Sequence, residues 1–265
     1  MPIHHSFDPE HLAFALDTAR SAGSRLMDFF QRKIDIQWKG SVNLVTEADL
    51  ASEELIVHAI RKRYPGHRYL CEEGNRSDAG DSVYRWIVDP LDGTTNFAHG
   101  YPCFNVSVAL EQEGEIMLGA VYNPVLDEMF HAVRSHGSYL NGKSIRVSDI
   151  GDLGNSLLVT GFPYDIRTSQ DNNLEHFRRF SLRAQAVRRD GSAALDFCYV
   201  AAGRFDGFWE IHLAPWDAAA GALIVREAGG TVSNYRGDSF DLFAGQVVAS
   251  NGLIHPQMID TLKDT

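Results

Sequence analysis

The chain predicts an α/β (α+β) protein, with helices layered on sheets in two closely joined lobes. Three observations lead there. Residues 11–33 repeat apolar side chains at helical spacing, through Leu12, Leu16, Ala19, Ala22, Leu26, Phe29 and Phe30. Residues 104–147 alternate in the β manner, and beyond residue 160 strands and helices follow one another in turn. With 265 residues the chain can bury a large core as one compact unit. A soft boundary near residues 150–155 divides it into an N-terminal α+β lobe (1–152) and a C-terminal α/β lobe (153–265).

Taken in order, the first helix covers residues 11–33. A second begins near Ala48 and runs to Arg63, where Pro65-Gly66 closes it. Arg68-Tyr69-Leu70-Cys71 reads as a short strand, and Tyr84-Arg85-Trp86-Ile87-Val88 as a buried one. Pro90 has no N–H for a central ladder, so the spacing ends that strand there. Alternation over residues 105–110, a turn at Gln112-Glu113-Gly114 and a second run over residues 116–122 predict a hairpin, and Asn141-Gly142 marks another turn. A polar helix over 171–183 follows, then a buried helix over 192–202, a strand over 205–211, a helix over 216–228 and a late strand over 246–250. There are no repeats, low-complexity tracts or long linkers.

Composition narrows the function classes. Hydrophobic content of 44% with 22% charged residues is ordinary for a soluble globular protein. No basic region followed by an apolar core opens the chain, and no apolar run approaches the roughly 20 residues of a membrane span. Cys71, Cys103 and Cys198 make an odd count without a Cys-x-x-Cys pair, which predicts reduced thiols and a cytoplasmic location. A net charge of −11, from 24 basic and 35 acidic residues, argues against nucleic acid as a primary partner. The same charge would repel an anionic substrate, unless clustered carboxylates hold divalent cations that reverse the local field.

The segment Asp89-Pro90-Leu91-Asp92-Gly93-Thr94-Thr95-Asn96-Phe97 is where such cations could sit. Asp-x-x-Asp at a strand end offers two carboxylates and the carbonyl between them, and hard cations such as Mg²⁺ take oxygen ligands. The amides of Gly93, Thr94 and Thr95 could receive an anion. By itself the segment reads first as an ordinary Pro-x-Asp-Gly turn. Other acids stand at element ends too, each with an ordinary explanation. Asp49 follows Thr46 at capping-box spacing. Glu72 and Glu73 precede Gly74, and on extended backbone only one of the two would reach a shared site. Asp217 lies in the first turn of a helix, where an acid favours the dipole. Glu210 ends a strand, and Gly191-Ser192-Ala193-Ala194 opens a helix with small residues. Together they place a site on the loops of a rigid scaffold.

In combination these pieces closely resemble the inositol monophosphatase family, within the larger group of Mg²⁺-dependent, lithium-sensitive phosphatases. The matching stretches are Leu44-Val45-Thr46-Glu47-Ala48-Asp49, Cys71-Glu72-Glu73-Gly74, residues 86–97, Gly191-Ser192-Ala193-Ala194 and Pro215-Trp216-Asp217-Ala218-Ala219-Ala220-Gly221. They frame the chain from about residue 10 to 250. The resemblance implies a layered α-β-α-β-α sandwich of the inositol monophosphatase and fructose-1,6-bisphosphatase type, two or three Mg²⁺ ions per subunit and a homodimer. It assigns Glu72, Asp89, Leu91 (through its carbonyl), Asp92 and Asp217 to the metals, with Glu72 also holding a third ion through waters. Asp49 and Thr94 would orient and deprotonate the attacking water. Gly93 and Thr94 would hold the phosphate, while Asp92, Gly191, Ser192, Ala193, Glu210 and Asp217 face the substrate. Ser192 stands where the family commonly has Thr, and Leu91 where it commonly has Ile.

The implied activity is hydrolysis of inositol monophosphate to inositol and phosphate by a metal-activated water. Fructose 1,6-bisphosphate, 3′-phosphoadenosine 5′-phosphate, NADP and histidinol phosphate are alternative substrates on the same machinery, since only the alcohol side separates them. Pro163-Tyr164-Asp165 and residues 210–216 resemble the bacterial inositol monophosphatases most. A further RNA-binding or regulatory role would rest on Arg178, Arg179, Arg183, Arg188 and Arg189, which read first as a solvated helix face and a strand end. A non-catalytic Ca²⁺ module has little support, because no EF-hand-like loop is present.

Overall fold

The computed structural model describes residues 8–30, 36–39, 43–77 and 82–263, with backbone alone for 36–39 and 43–46. The elements in chain order are α1 (Pro9–Phe30), β1 (Ile36–Lys39), β2 (Asn43–Thr46), α2 (Glu47–Arg63), β3 (Arg68–Cys71), β4 (Arg76–Ser77), β5 (Tyr84–Asp92) and α3 (Thr94–Ala98). They continue with β6 (Asn105–Gln112), β7 (Glu115–Asn123), β8 (Glu128–Val133), β9 (Ser138–Leu140), β10 (Lys143–Ser144), β11 (Leu157–Thr160), α4 (Leu174–Arg183) and β12 (Ala186–Arg188). The last are α5 (Ala193–Ala201), β13 (Gly207–Glu210), α6 (Pro215–Glu227), β14 (Thr231–Ser233), β15 (Val247–Ser250) and α7 (His255–Lys263). The end of the first expected helix, residues 31–33, and the side chain of Thr46 lie outside the described residues.

Two main sheets organise the chain. The larger has the order β10-β9-β8-β7-β6-β5-β3-β4, and the smaller β12-β11-β13-β15-β14. Helices α1 and α2 pack on one face of the larger sheet, and α5 and α6 fill the space between the sheets. The outer side of the smaller sheet is covered by α4 and α7. Three apolar clusters correspond to these interfaces, so the layers run helix, sheet, helix, sheet, helix. Close contact between layers depends on small residues. A Cβ at Gly119 of β7 would lie 2.7 Å from the Cα of Ala220, so only glycine lets α6 settle on that strand.

Most expected elements form, and the differences have physical causes. The β6–β7 hairpin turns at Glu113 (φ 52°) and Gly114 (φ 87°), and Asn141-Gly142 repeats that left-handed pair between β9 and β10. The expected end of the strand at Pro90 is wrong. β5 continues to Asp92 through a bulge, because Asp89 pairs with Ser107 and Asp92 with Asn105. The extra residue takes Pro90 out of the ladder, so its missing N–H leaves nothing unsatisfied. The expected helix from residue 171 begins instead at Leu174, after Asn173 turns left-handed at φ 66°. The Glu72-Glu73 pair lies in a turn rather than on extended backbone, so its side chains are not forced to opposite sides.

One packing detail makes a stability prediction. His67 accepts a hydrogen bond at Nδ1 from Trp86 Nε1 (3.2 Å) and stacks on Tyr64 and Tyr84. Burial and the neighbouring His11 push its pKa down to about 4 from 6.5. Below 6.5 the unfolded chain binds the proton that the folded chain refuses, so this stability is present at neutral pH and is lost as pH falls toward 4. Discounted for partial exposure, the loss by pH 4.5 is on the order of 1–2 kcal/mol. Urea unfolding of His67→Phe at pH 7 and pH 4.5 should show a shallower acid decline than wild type; an equal decline would remove His67 as its source.

Candidate active site

Helix α2 turns three polar side chains toward the end of β5. Asp49 and Glu53 are each 1% exposed, and Ser52 between them is fully buried. Their spacing of three and four puts them on one helical face. Ser52 Oγ donates to the carbonyl of Pro90 (2.8 Å), which docks α2 on the bulge. Glu53 accepts from the backbone N–H of Glu73 (2.8 Å) and from Asn75 Nδ2 (2.7 Å). That grip shapes the turn after β3, and one carboxylate oxygen each from Asp49, Glu72 and Glu73 gathers within 4.8 Å. Glu73 is therefore a neighbour of the site that sequence reasoning set aside. Glu53 was also missed; only its offset of four from Asp49 could have shown it.

The bulge of β5 shapes the next group. Asp89 is 2% exposed and its Oδ1 accepts from the N–H of Leu91 (3.0 Å), while the carbonyl of Leu91 accepts from Thr94 Oγ1 (3.0 Å). Asp92 Oδ2 accepts from Asn105 Nδ2 (2.8 Å), Ser192 Oγ (2.7 Å) and the N–H of Ala194 (2.9 Å). Three donors on one oxygen tie the bulge to the start of α5, where Ser192 is the N-cap residue and Ala193 the first helical one. Gly93 has φ +91°, and a Cβ there would meet the carbonyl oxygen of Cys103 at 2.8 Å, so the turn requires glycine on both counts. Gly191 (φ +81°) lies against Asn96, whose Nδ2 donates to the carbonyls of Cys103 and Asp190 (2.8 Å each). Asn96 and Asn105 are tie residues that no spacing in the sequence singled out.

Asp217 enters from α6, its Oδ2 accepting from the N–H of Ala214 (2.7 Å) at the helix start opened by Pro215. Glu210 stands at the end of β13. The groups act on one another. Burial pushes the Asp89 carboxyl well above its usual range, and the charges of Glu72, Asp92, Asp217 and Asp49 push it further. Asp217 is raised by burial, then by Asp92 and Glu72, and shares a hydrogen bond with Asp89. Burial, then Asp217 and Asp92, raise Glu210, against a small opposing pull from Arg189. Asp92 is raised by burial and partly relieved by its hydrogen bonds to Ser192 and Asn105. Tyr164, 57% exposed, stands at the rim; burial of its hydroxyl end, then Glu72 and Asp217, push the phenol upward.

Like charges held this close cannot all ionise without a counter-charge. The donors are oxygens alone, from carboxylates and the Leu91 carbonyl, which is the set a hard divalent cation prefers over softer metals. The residues present therefore fit Mg²⁺. The structure brings together Asp49, Glu72, Asp89, Asp92 and Asp217 electrostatically, with Gly93, Thr94, Ser192 and Ala193 bordering Asp92.

The five arginines do not form one basic face. Arg178 and Arg179 both pair with Glu175, and Arg183 donates to Thr261 Oγ1 (2.9 Å). Arg188 and Arg189 stand apart on the next segment, Arg189 over the ring of Phe162.

Comparison with known proteins agrees with this geometry. The family model described as the inositol monophosphatase family matches residues 8–265. An inositol-1-monophosphatase from Synechocystis sp. is 44% identical, covering 96% of this chain and 89% of the relative. A Nus factor SuhB from Pseudomonas aeruginosa is also 44% identical, with 95% of each covered. The solved inositol monophosphatase from Anabaena superposes with a TM-score of 0.88 at 41% identity, over 96% of this chain and 95% of that one. The chain belongs to the inositol monophosphatase family, a family of phosphatases, and shares its layered α-β-α-β-α fold.

Proposed function

We propose that the protein hydrolyses inositol monophosphate to inositol and phosphate as a Mg²⁺-dependent, lithium-sensitive phosphomonoesterase, working as a cytoplasmic homodimer. The observation that carries the reading is the mutual repulsion of Asp89, Glu72, Asp92 and Asp217, four buried or half-buried acids delivered by three segments of a family phosphatase. Glu72, Asp89, the Leu91 carbonyl, Asp92 and Asp217 would hold the ions. When bound, Mg²⁺ supplies positive charge against the phosphate oxygens and lowers the pKa of water.

The chain's own groups do the rest. Asp49, held 1% exposed on α2, takes the proton of the attacking water by way of the Thr94 hydroxyl, which can turn from the Leu91 carbonyl it now contacts. The amides of Gly93 and Thr94 orient the phosphate, in a turn whose shape the left-handed Gly93 and its packing on the Cys103 carbonyl fix. Ser192 and Asn105 fix the rotamer of Asp92, so that its position is not renegotiated in each cycle. Glu210 and Ala193 border the space for the alcohol. Hydrolysis of a phosphate monoester is very slow unaided, so positioning and charge neutralisation must supply most of the acceleration.

A second, additional role is favoured by the relatives named Nus factor SuhB, at 44% identity in the case from Pseudomonas aeruginosa. A regulatory or RNA-linked function beside catalysis would use Arg188 and Arg189, since Arg178 and Arg179 are both engaged with Glu175. RNA retention should then be salt-dependent and fall when Arg188 and Arg189 become glutamine. Retention unchanged in that double variant would remove this role for the pair.

Asp89→Asn tests the main reading. Phosphate release with Mg²⁺ should fall by about 10³-fold or more. The fold should survive, and in Mg²⁺-free buffer the variant should melt higher than wild type, because one member of a repelling set is neutral. Near-normal Mg²⁺-dependent turnover in the variant would contradict the site.

A further inference from the structure

Glu210 is seated by an absence. A Cβ on Gly161 would overlap Glu210 Oε1 and Cδ and lie 2.5 Å from Oε2, so the carboxylate fills the space that a side chain at 161 would need. The parallel pairing of β11 with β13 brings them together, since Thr160 is in register with Trp209, with Gly161 just past the end of β11 and Glu210 the last residue of β13. Gly161 shows no positive φ among the glycines that do, so space rather than backbone conformation demands glycine here.

The seat is clamped from one side by Asn173. This residue is 3% exposed and left-handed (φ 66°), a conformation that asparagine tolerates better than most side chains. Its Nδ2 donates to the Gly161 carbonyl (2.6 Å) and to Thr160 Oγ1 (2.9 Å), and its Oδ1 accepts from Trp209 Nε1 (2.8 Å). Thr160 Oγ1 in turn donates to the Trp209 carbonyl (2.5 Å). The residues that precede Gly161 and Glu210, Thr160 and Trp209, are thus held in one buried network with Asn173. A network so fully satisfied is rigid, and losing one member leaves buried polar groups unpaired.

We propose that Gly161 is a specificity-determining position and Asn173 a positioning residue. Together they set the Glu210 carboxylate where it can accept hydrogen bonds from the hydroxyls of a polyol phosphate. The inference rests on the phosphatase reading and on Glu210 facing the alcohol. A carboxylate has two oxygens and no donor when ionised, so it suits neighbouring hydroxyls and gains nothing from an apolar alcohol. Gly161→Ala displaces only the far end of a flexible side chain, so the fold should tolerate it while the carboxylate moves.

The test compares inositol 1-phosphate with p-nitrophenyl phosphate, whose alcohol side has no other hydroxyl, in wild type, Gly161→Ala, Glu210→Ala and the double variant. The ratio of their kcat/KM values should fall about tenfold in each single variant, chiefly through KM for inositol 1-phosphate. The double variant should be no worse than either single one, because both remove the same contact. Asn173→Ala should shift the ratio in the same direction; should it fail to fold, Gly161→Ala still decides. Equal losses on both substrates, or additive losses in the double variant, would overturn the inference and leave the phosphatase reading standing. Absence of Mg²⁺-dependent phosphate release from either substrate in wild type would overturn both.

Discussion

Electrostatic repulsion among buried carboxylates is the constraint around which this protein is arranged. Asp89, Asp92 and Asp217 come from the end of one strand and the start of one helix, with Glu72 from a turn and Asp49 from another helix. Burial and proximity both work against their charged forms. A scaffold can hold such a set only if the surrounding elements are rigid, and here they are. Ser52 ties α2 to the bulge, Glu53 braces the acidic turn, and Ser192 with Asn105 holds Asp92. Bound cations would relieve that tension, and would also let an acidic protein receive a phosphate.

The bulge in β5 is the local device that makes the arrangement work. Proline at 90 would weaken a regular central strand, yet here it sits at the one place where the ladder is already interrupted. The interruption lets Asp89 and Asp92 leave the strand near each other with the Leu91 carbonyl between them. Close packing elsewhere serves the same end. Gly119 admits α6 onto the larger sheet, and α6 carries Asp217 at its start.

Much of this was legible in the residues themselves. Periodicity located the helices and the β6–β7 hairpin, and the Glu-Gly and Asn-Gly turns announced their left-handed geometry. The acids could be named singly because each stands beside glycine or proline at an element end. Their convergence was not legible, since spacing along the chain carries no distance between α2, β5 and α6; the resemblance supplied it. Pro90 misled because the rule against proline in a ladder says nothing about a bulge that excuses it. Glu73 was set aside on the assumption of extended backbone, where the chain in fact turns. The roles of Asn96, Asn105 and Asn173 left no sequence signal, because a polar side chain that bonds to groups elsewhere in the fold looks like any surface asparagine. Gly161 shows the same limit: only the folded structure reveals that its missing side chain is occupied by Glu210.

Direct calorimetric titration of Mg²⁺ into the wild-type protein and into Asp217→Asn tests the central claim most squarely. The wild type should show saturable binding of two or three ions per chain, and the variant should lose at least one of them while remaining folded. No saturable binding in the wild type, or an unchanged stoichiometry and affinity in the variant, would contradict a carboxylate cluster built to hold cations.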